Sequence, residues 1–192
     1  MISAYQINNR IVEAFQLFQV MKKYGKPIKE FTWKAMIDVC EANGQSDVLE
    51  LLHEDIKKCE RMISNTLLIR LIIAYSKCGN IEKSIEIFNS LPKEKIDIFF
   101  LNSMLCAYSQ VEGYFNEGIS LFEKMRSMKV NFDEYTWSSL ISLCGINKNL
   151  LYLENIHTEM VSRNVLMSSM LLNNLIVAYC NCGLKEKSIQ IF

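Results

Sequence analysis

Residues 82–88 read EKSIEIF, and residues 186–192 read EKSIQIF. Six of the seven residues are identical, and the second segment begins 104 positions after the first. The same offset relates AYSKCG at 74–79 to AYCNCG at 178–183, and EFTW at 30–33 to EYTW at 134–137. Because one offset holds along the whole chain, the sequence contains an internal duplication.

Each copy of the duplication divides into three modules of about 35 residues. One type carries Phe/Tyr-Thr-Trp followed by a Cys and a His, one carries Ala-Tyr-x-x-Cys-Gly, and one carries Leu-Phe-x-x-Met. The predicted modules, with an incomplete one at each end, are 1–29, 30–64, 65–97, 98–133, 134–168 and 169–192.

The module at 65–97 has the pattern of two helices. Leu67, Leu71 and Tyr75 recur at every fourth position and form an apolar stripe with helical period. Gly79 suits a left-handed C-terminal cap, and Asn80 suits the N-cap of a second helix. We therefore predict a helix–turn–helix unit.

One helix pair cannot cover both of its apolar stripes, so stacking of the modules is expected. This predicts an all-α, right-handed superhelical α-solenoid with a concave inner surface, about ten helices and no strand. Small residues at one position of the second helices, which allow close approach of the paired helices, are Ala14, Ser84, Gly118 and Ser188. Turns are predicted at Gly44, Gly79, Gly145 and Gly183.

The charge balance, the cysteines and the apolar stretches limit the kinds of partner that the sequence predicts. Lys+Arg and Asp+Glu both number 21, so the formal net charge is zero and does not by itself indicate a nucleic-acid partner. The seven cysteines form no CxxC pair, which favours small buried residues in a reducing compartment over metal ligands. No apolar stretch approaches the roughly 20 residues of a membrane span. We therefore expect no cofactor, no metal and no membrane association.

One tripeptide suggests an enzyme. Residues 157–159 read HTE, which fits the H-x-E motif of zinc nucleobase deaminases. The Pro-Cys-x-x-Cys partner of that motif is missing, because only Cys180 and Cys182 follow. His53 lies 104 positions before His157, so the histidine belongs to the repeat. The sequence favours a protein that is not an enzyme.

Paired-helix modules in a cycle of three types resemble the pentatricopeptide-repeat proteins, in particular those that mix long and short motifs. AYSKCG at 74–79 looks like their short motif. FTW at 31–33, with Cys40 and His53, looks like the long motif, and LFEKM at 121–125 looks like the ordinary one. The resemblance covers the whole chain, and the incomplete end modules suggest a piece of a longer protein.

The resemblance implies binding of single-stranded RNA with about one base per module. The fifth and last residues of a module would contact the base edge, and the second residue would stack between bases. The base-edge residues are Lys34 with Ser64, Ile69 with Asp97, Asn102 with Asp133, Ser138 with Ser168, and Asn173; the stacking residues are Phe31, Thr66, Phe99, Tyr135 and Met170. Asn102 with Asp133 is the one combination that such proteins use as a clear base reader, and we expect it to select uracil.

The resemblance also implies a mitochondrial or chloroplast protein of RNA processing, RNA stability or C-to-U editing. Editing or processing factors would come from other chains or from a C-terminal region outside this sequence. The alternative is a protein-interaction scaffold that binds a peptide or helix with the same surface, which the zero net charge favours. Each base-edge residue has the alternative interpretation of a solvated surface residue, as do Lys22, Lys23, Lys26 and Lys29.

Overall fold

The structure, a computed structural model, describes residues 11–58 and 63–191. These residues form eleven α-helices and a 3-10 helix at Lys93–Lys95, and they include no strand. The α-helices are α1 (Ile11–Lys23), α2 (Glu30–Ala42), α3 (Ser46–Lys58), α4 (Asn65–Lys77), α5 (Ile81–Asn89), α6 (Ile98–Tyr108), α7 (Phe115–Ser127), α8 (Glu134–Ile146), α9 (Leu150–Ser162), α10 (Ser169–Asn181) and α11 (Lys185–Ile191). The all-helical class predicted from the sequence is confirmed.

The helices group into two units, and the division follows Leu91. In the first unit, α2 packs on α3, α4 packs on α5, and α2 lies beside α4. In the second unit, α6 packs on α7, α8 on α9, and α10 on α11, while α8 lies beside both α6 and α10. Within each unit, neighbouring modules therefore meet mainly through their first helices, with smaller contacts between a second helix and the first helix that follows it. The exact module boundaries stay a prediction.

The module at 65–97 shows how the predicted pattern is realised. Leu67, Leu71 and Tyr75 are at most 3% exposed. Gly79 adopts a left-handed φ of 80° after α4. Asn80 caps α5, because its Oδ1 accepts a hydrogen bond from the backbone N–H of Lys83 at 3.3 Å. The stripe, the turn and the cap predicted here are confirmed.

Ala14, Ser84, Gly118 and Ser188 are all buried in the second helices. The predicted close approach within a helix pair is confirmed for the two serines, whereas Gly118 faces Leu143 of α8 in the next module. Where the residue is a serine, its hydroxyl finds a backbone acceptor across the helix pair. Ser84 Oγ donates to the carbonyl oxygen of Ile72 at 2.7 Å, and Ser188 Oγ donates to that of Ile176 at 3.2 Å. A small residue thus allows close approach, and a hydroxyl adds a hydrogen bond without leaving a buried polar group unsatisfied.

The prediction of a turn at Gly145 was wrong. Gly145 lies inside α8 and is buried, and the turn follows it at Lys148, where φ is 52°. A Cβ on Gly145 would lie 2.8 Å from Ala178 Cα and 2.9 Å from Ala178 Cβ. Helix packing therefore explains the glycine: without a side chain at position 145, the backbone of α8 can lie directly against Ala178 of α10.

The two copies of the duplication keep the left-handed turn position even where the residue changes. Gly25 and Gly44 have φ of 61°, and the residues 104 positions later, Lys129 and Lys148, have φ of 54° and 52°. A side chain with a Cβ is disfavoured in this conformation by about 1–2 kcal/mol. Packing of the helices on either side must therefore impose the turn on both lysines.

Replacement of Gly145 by alanine should destabilise the chain. The added methyl group meets backbone atoms of α10 that cannot move separately, so we expect a loss of about 1–3 kcal/mol in the free energy of unfolding. Gly118→Ala is the matched control, since its methyl group would meet only the flexible end of Leu143, 2.5 Å away. Denaturant unfolding compares the two variants; equal losses would contradict the assignment of a backbone contact.

Lys148→Gly should stabilise the chain, because glycine removes the steric cost of the left-handed conformation. We expect a gain of about 0.5–1 kcal/mol in the free energy of unfolding after the flexibility of glycine in the unfolded chain is counted. Lys148→Ala keeps the Cβ and should leave stability nearly unchanged. If both variants shift the unfolding midpoint equally, backbone strain at this turn is not the cause.

Candidate nucleic-acid interface

The last residue of each predicted module is the N-cap of the next module's first helix. Ser and Asp side chains at these positions accept hydrogen bonds from backbone N–H groups that the helix itself cannot satisfy. The acceptors and donors are Ser64 with Leu67 N at 3.2 Å, Asp97 with Phe99 N at 3.0 Å, Asp133 with Thr136 N at 2.8 Å, and Ser168 with Leu171 N at 3.3 Å. The predicted base-edge residues at module ends therefore have a structural role as well.

The predicted stacking and base-edge residues occupy fixed positions in the first helices. Every predicted stacking residue is the second residue of its helix. The predicted base-edge residues that are not N-caps are all the fifth residue of their helix. Positions three apart share one face of a helix. Each first helix thus brings its stacking residue and its base-edge residue to the same side.

The stacking residues are unusually exposed for their type. Phe31, Phe99 and Tyr135 are 71%, 65% and 68% exposed. Thr66 is also exposed, and Met170 is exposed to a smaller degree. Because large aromatic side chains are normally buried, packing of a core does not explain their exposure at the same position of three first helices.

Asn102 and Asp133, which the resemblance pairs, are in direct contact. Asn102 Nδ2 donates to both carboxylate oxygens of Asp133, at 3.1 and 3.2 Å. Thr136 joins them, since its hydroxyl donates to Asn102 Oδ1 at 2.8 Å and lies 2.8 Å from Asp133 Oδ1. Asp133 also caps α8, so its carboxylate is fixed by the helix before it contacts Asn102.

The remaining base-edge residues have other partners. Lys34 forms an ion pair with Glu30 at 2.8 Å. The pKa of Glu30 is lowered mainly by its hydrogen bond with Lys34 and also by one with Ser64. Ser138 accepts a hydrogen bond from Asn174 Nδ2 at 2.6 Å. Lys34 and Ser138 are thus both engaged by neighbouring polar side chains.

Some predicted pairs are not joined by a direct hydrogen bond. Ser168 donates a hydrogen bond to Glu134, the first residue of α8. Its predicted partner Ser138 instead accepts a hydrogen bond from Asn174 of α10. Asp97 caps α6, and its predicted partner Ile69 has no polar side-chain atom. Asn173 is exposed. Among the predicted pairs in the described part of the chain, only Asn102 and Asp133 are joined by a direct hydrogen bond.

The sequence reasoning missed Thr136, although a signal for it was present. Asp133-x-x-Thr136 has the spacing of a capping box, in which the first and fourth residues exchange side-chain and backbone hydrogen bonds. The structure has both of these bonds. The carboxylates Glu30 and Glu134 were also missed; both begin a first helix, where a negative charge is favourable.

Family models match most of this chain. A model described as PPR repeat matches residues 1–25, 70–96, 135–165 and 171–192, more than half of the sequence. A second, described as PPR repeat family, matches residues 96–145. This chain belongs to the pentatricopeptide-repeat family.

Similar proteins carry the same family name. A mitochondrial pentatricopeptide repeat-containing protein of Arabidopsis thaliana is 26% identical over 100% of this chain and 27% of its own length. A chloroplastic one from the same plant is 29% identical over 76% of this chain and 19% of its own length. The chain therefore spans about a quarter or less of the length of these relatives.

A solved structure has the same fold. The crystal structure of the pentatricopeptide repeat protein PPR10 in complex with an 18-nt psaJ RNA element matches with a TM-score of 0.81 and 21% identity. The match covers 94% of this chain and 27% of that one. PPR10 from maize in a separate crystal structure matches with a TM-score of 0.62 and 18% identity. The α-solenoid architecture predicted from the sequence is confirmed by these likenesses.

The two histidines of the repeat are structural. His53 Nδ1 lies 3.1 Å from the hydroxyl of Tyr75, and His157 Nδ1 lies 3.0 Å from that of Tyr179. Burial lowers the pKa of His53 to about 4 and also lowers that of His157. Within the described residues, no three His, Cys, Asp or Glu side chains form a cluster that could hold a metal ion.

The buried thiols and the lengths of the helices relate to the expectations of no metal and no membrane association. Burial raises the pKa of Cys40 and of Cys144 to about 12, so both thiols stay protonated near neutral pH. Every helix in residues 11–58 and 63–191 is too short or too polar to cross a bilayer.

His53 makes stability fall in acid. Its pKa is lowered from 6.5 to about 4, so the unfolded chain binds the proton more tightly than the folded one. Stability is complete above pH 6.5 and is lost as the pH falls towards 4, by at most about 3 kcal/mol. His53→Gln should flatten this pH dependence in denaturant unfolding, and His157→Gln, which changes a less buried ring, should flatten it less. An unchanged slope in His53→Gln would contradict the buried neutral histidine.

Proposed function

We propose that this chain binds single-stranded RNA and reads bases with its first helices. The observation that carries the proposal is the side chain of Asn102, held by the capping residue Asp133 at 3.1 Å and placed three residues after the exposed ring of Phe99. A fixed polar amide beside an exposed aromatic ring is what recognition of an unstacked base requires.

The chemistry of Asn102 suits uracil. An Asn side chain offers N–H donors and a carbonyl acceptor. Asp133 takes up one donor, and one N–H and one oxygen lone pair remain for a ligand. Uracil presents an N3–H donor beside a carbonyl acceptor on its Watson–Crick edge, which matches this arrangement. We therefore propose that module 98–133 selects uracil.

The other modules would contribute affinity more than selectivity. Phe31 and Tyr135 offer exposed rings for stacking, which does not distinguish one base strongly from another. Lys34 with Ser64, Ser138 with Ser168, Ile69 with Asp97, and Asn173 provide the base-edge positions of these modules. Their side chains include an ion-paired lysine and an isoleucine, so we expect weak base preference there.

The charge distribution gives the RNA proposal a measurable consequence. Several cations in the first helices are neutralised, since Arg70 pairs with Asp38 at 2.5 Å and Lys77 pairs with Glu41 at 2.6 Å. Stacking and base-edge hydrogen bonds would therefore carry more of the affinity than phosphate contacts do. Binding should prefer single strands over duplexes and still weaken with salt. Salt-insensitive binding of a peptide would favour the alternative, a protein-interaction scaffold.

The cellular role proposed is that of a mitochondrial or chloroplast RNA-binding factor in processing, stability or C-to-U editing. Support comes from the two relatives described above, one named mitochondrial and the other chloroplastic. The order of module types supports membership in the subfamily with mixed long and short motifs. The chain itself would position the RNA without catalysis, and editing or processing factors would supply the chemistry.

Substitutions in module 98–133 should separate selectivity from affinity. Phe99→Ala should weaken binding of all RNAs by about 1–3 kcal/mol, because stacking ignores base identity. Asn102→Ala should leave stacking intact and remove the preference for uracil at one nucleotide, about a 2- to 10-fold loss. Both variants are made in the whole protein and measured on RNAs selected from a randomised pool.

Tyr24→Ala is the control, since Tyr24 is an aromatic residue as exposed as Phe31 but lies outside the stacking positions. Loss of affinity in Tyr24→Ala equal to that in Phe99→Ala would argue against stacking at specific positions. Failure of the unaltered protein to bind any single-stranded RNA would overturn the proposed function itself.

A further inference from the structure

Thr136 lies in the first turn of α8, three residues after Asp133, and is fully buried. Asp133 Oδ1 already accepts hydrogen bonds from the backbone N–H of Thr136 at 2.8 Å and from Asn102 Nδ2 at 3.1 Å. The hydroxyl of Thr136 has a single proton to donate. Because Asp133 Oδ1 already accepts hydrogen bonds from two N–H groups, the hydroxyl proton of Thr136 is more stabilising when it is donated to Asn102 Oδ1, 2.8 Å away.

The amide of Asn102 is consequently held at both ends. An ionised carboxylate can only accept hydrogen bonds, so Asp133 requires the nitrogen of the amide to face it. The Thr136 hydroxyl donates to the oxygen of the same amide. These two contacts set which end of the amide is donor and which is acceptor, and they fix the plane of the group.

We propose that Thr136 is a positioning residue that keeps the Asn102 amide in the orientation that accepts uracil and rejects cytosine. The proposal rests on the proposed RNA binding of module 98–133. Thr136 belongs to the next module and does not itself contact the base; it acts through Asn102.

The chemical reason lies in the opposite polarity of the two pyrimidines. Uracil offers N3–H as a donor beside a carbonyl acceptor, and cytosine offers N3 as an acceptor beside an amino donor. For a base in one pose, the amide orientation that matches uracil places donor against donor and acceptor against acceptor with cytosine. A rotation of the amide by 180° would reverse the preference. A contact that opposes this rotation therefore contributes to selectivity.

Asp133 opposes the 180° rotation of the Asn102 amide more strongly than Thr136 does. After rotation, Asn102 Oδ1 would face the carboxylate of Asp133, which repels it, and Nδ2 would face Thr136. The Thr136 hydroxyl could still turn towards Asp133 Oδ1, so its loss removes one neutral hydrogen bond and not the whole barrier. We expect Thr136 to supply about a 2- to 10-fold share of the discrimination, the range of one neutral hydrogen bond.

The duplication provides a matched control. Thr32 lies 104 positions before Thr136, at the same place in the first turn of α2. The N-cap of α2 is Lys29, whose side chain makes no capping hydrogen bond. Thr32 therefore has no carboxylate partner at its N-cap, and Thr32→Val removes a hydroxyl from the equivalent helix position without touching the Asn102 amide.

The test uses the whole protein and two RNAs that differ only in U or C at one nucleotide. That nucleotide is the one whose preference changes in Asn102→Ala during selection from a randomised RNA pool. Thr136→Val keeps the size of the buried side chain and removes the hydroxyl, whereas Thr136→Ser restores it. The ratio of the dissociation constants for the two RNAs is measured for each variant, together with its melting temperature.

Thr136→Val should lower the preference for U over C by about 2- to 10-fold, while Thr136→Ser and Thr32→Val keep the ratio of the unaltered protein. An unchanged ratio in Thr136→Val, or an equal weakening of both RNAs that Thr136→Ser does not reverse, would overturn the role of Thr136 while the proposed RNA binding stands. Absence of RNA binding by the unaltered protein would overturn the proposed function and this inference with it.

Discussion

The residue that ends each predicted module is the N-cap of the helix that follows, and this position links the fold to the candidate interface. The first N–H groups of a helix have no partner within the helix, so a side-chain acceptor at the N-cap stabilises the helix. Ser64, Asp97, Asp133 and Ser168 supply it. A side chain anchored in this way cannot move independently, so it can hold a neighbouring side chain in a fixed orientation. At Asp133 the neighbour is Asn102.

Close contact between α8 and α10 in the second unit, and between paired helices at Ser84 and Ser188, depends on small groups at the contact. Gly145 lets α8 approach α10, and Ser84 and Ser188 let second helices approach first helices while their hydroxyls remain satisfied. The short turns at the ends of α7 and α8 then force Lys129 and Lys148 into the left-handed region. In the second unit, which contains both lysines, the packing of the helices offsets the local steric cost of their left-handed conformation.

Much of the fold could be predicted from the sequence, because the duplication exposes it. One offset of 104 residues aligned the turns, caps and small residues, and the helical stripe in 65–97 identified the repeating unit. Gly145 was misread because a glycine after an apolar run resembles a turn, and only its contact with Ala178 shows a packing role. Thr136 was missed because a capping-box threonine gives no sign in sequence of its second contact, to a residue 34 positions earlier. The meeting of Asn102 and Asp133 was expected from family resemblance; composition and periodicity did not indicate it.

The central claim is that Asp133 has two separable roles, capping α8 and orienting Asn102. Asp133→Asn separates them, because asparagine caps helices about as well as aspartate but can also donate to Asn102 Oδ1. The measurement is the melting temperature of this variant together with its affinities for two RNAs that carry U or C at the nucleotide facing module 98–133. The account predicts an almost unchanged melting temperature and a preference that shifts from uracil towards cytosine. A lower melting temperature with the uracil preference intact would show that Asp133 is a helix cap only and would contradict the account.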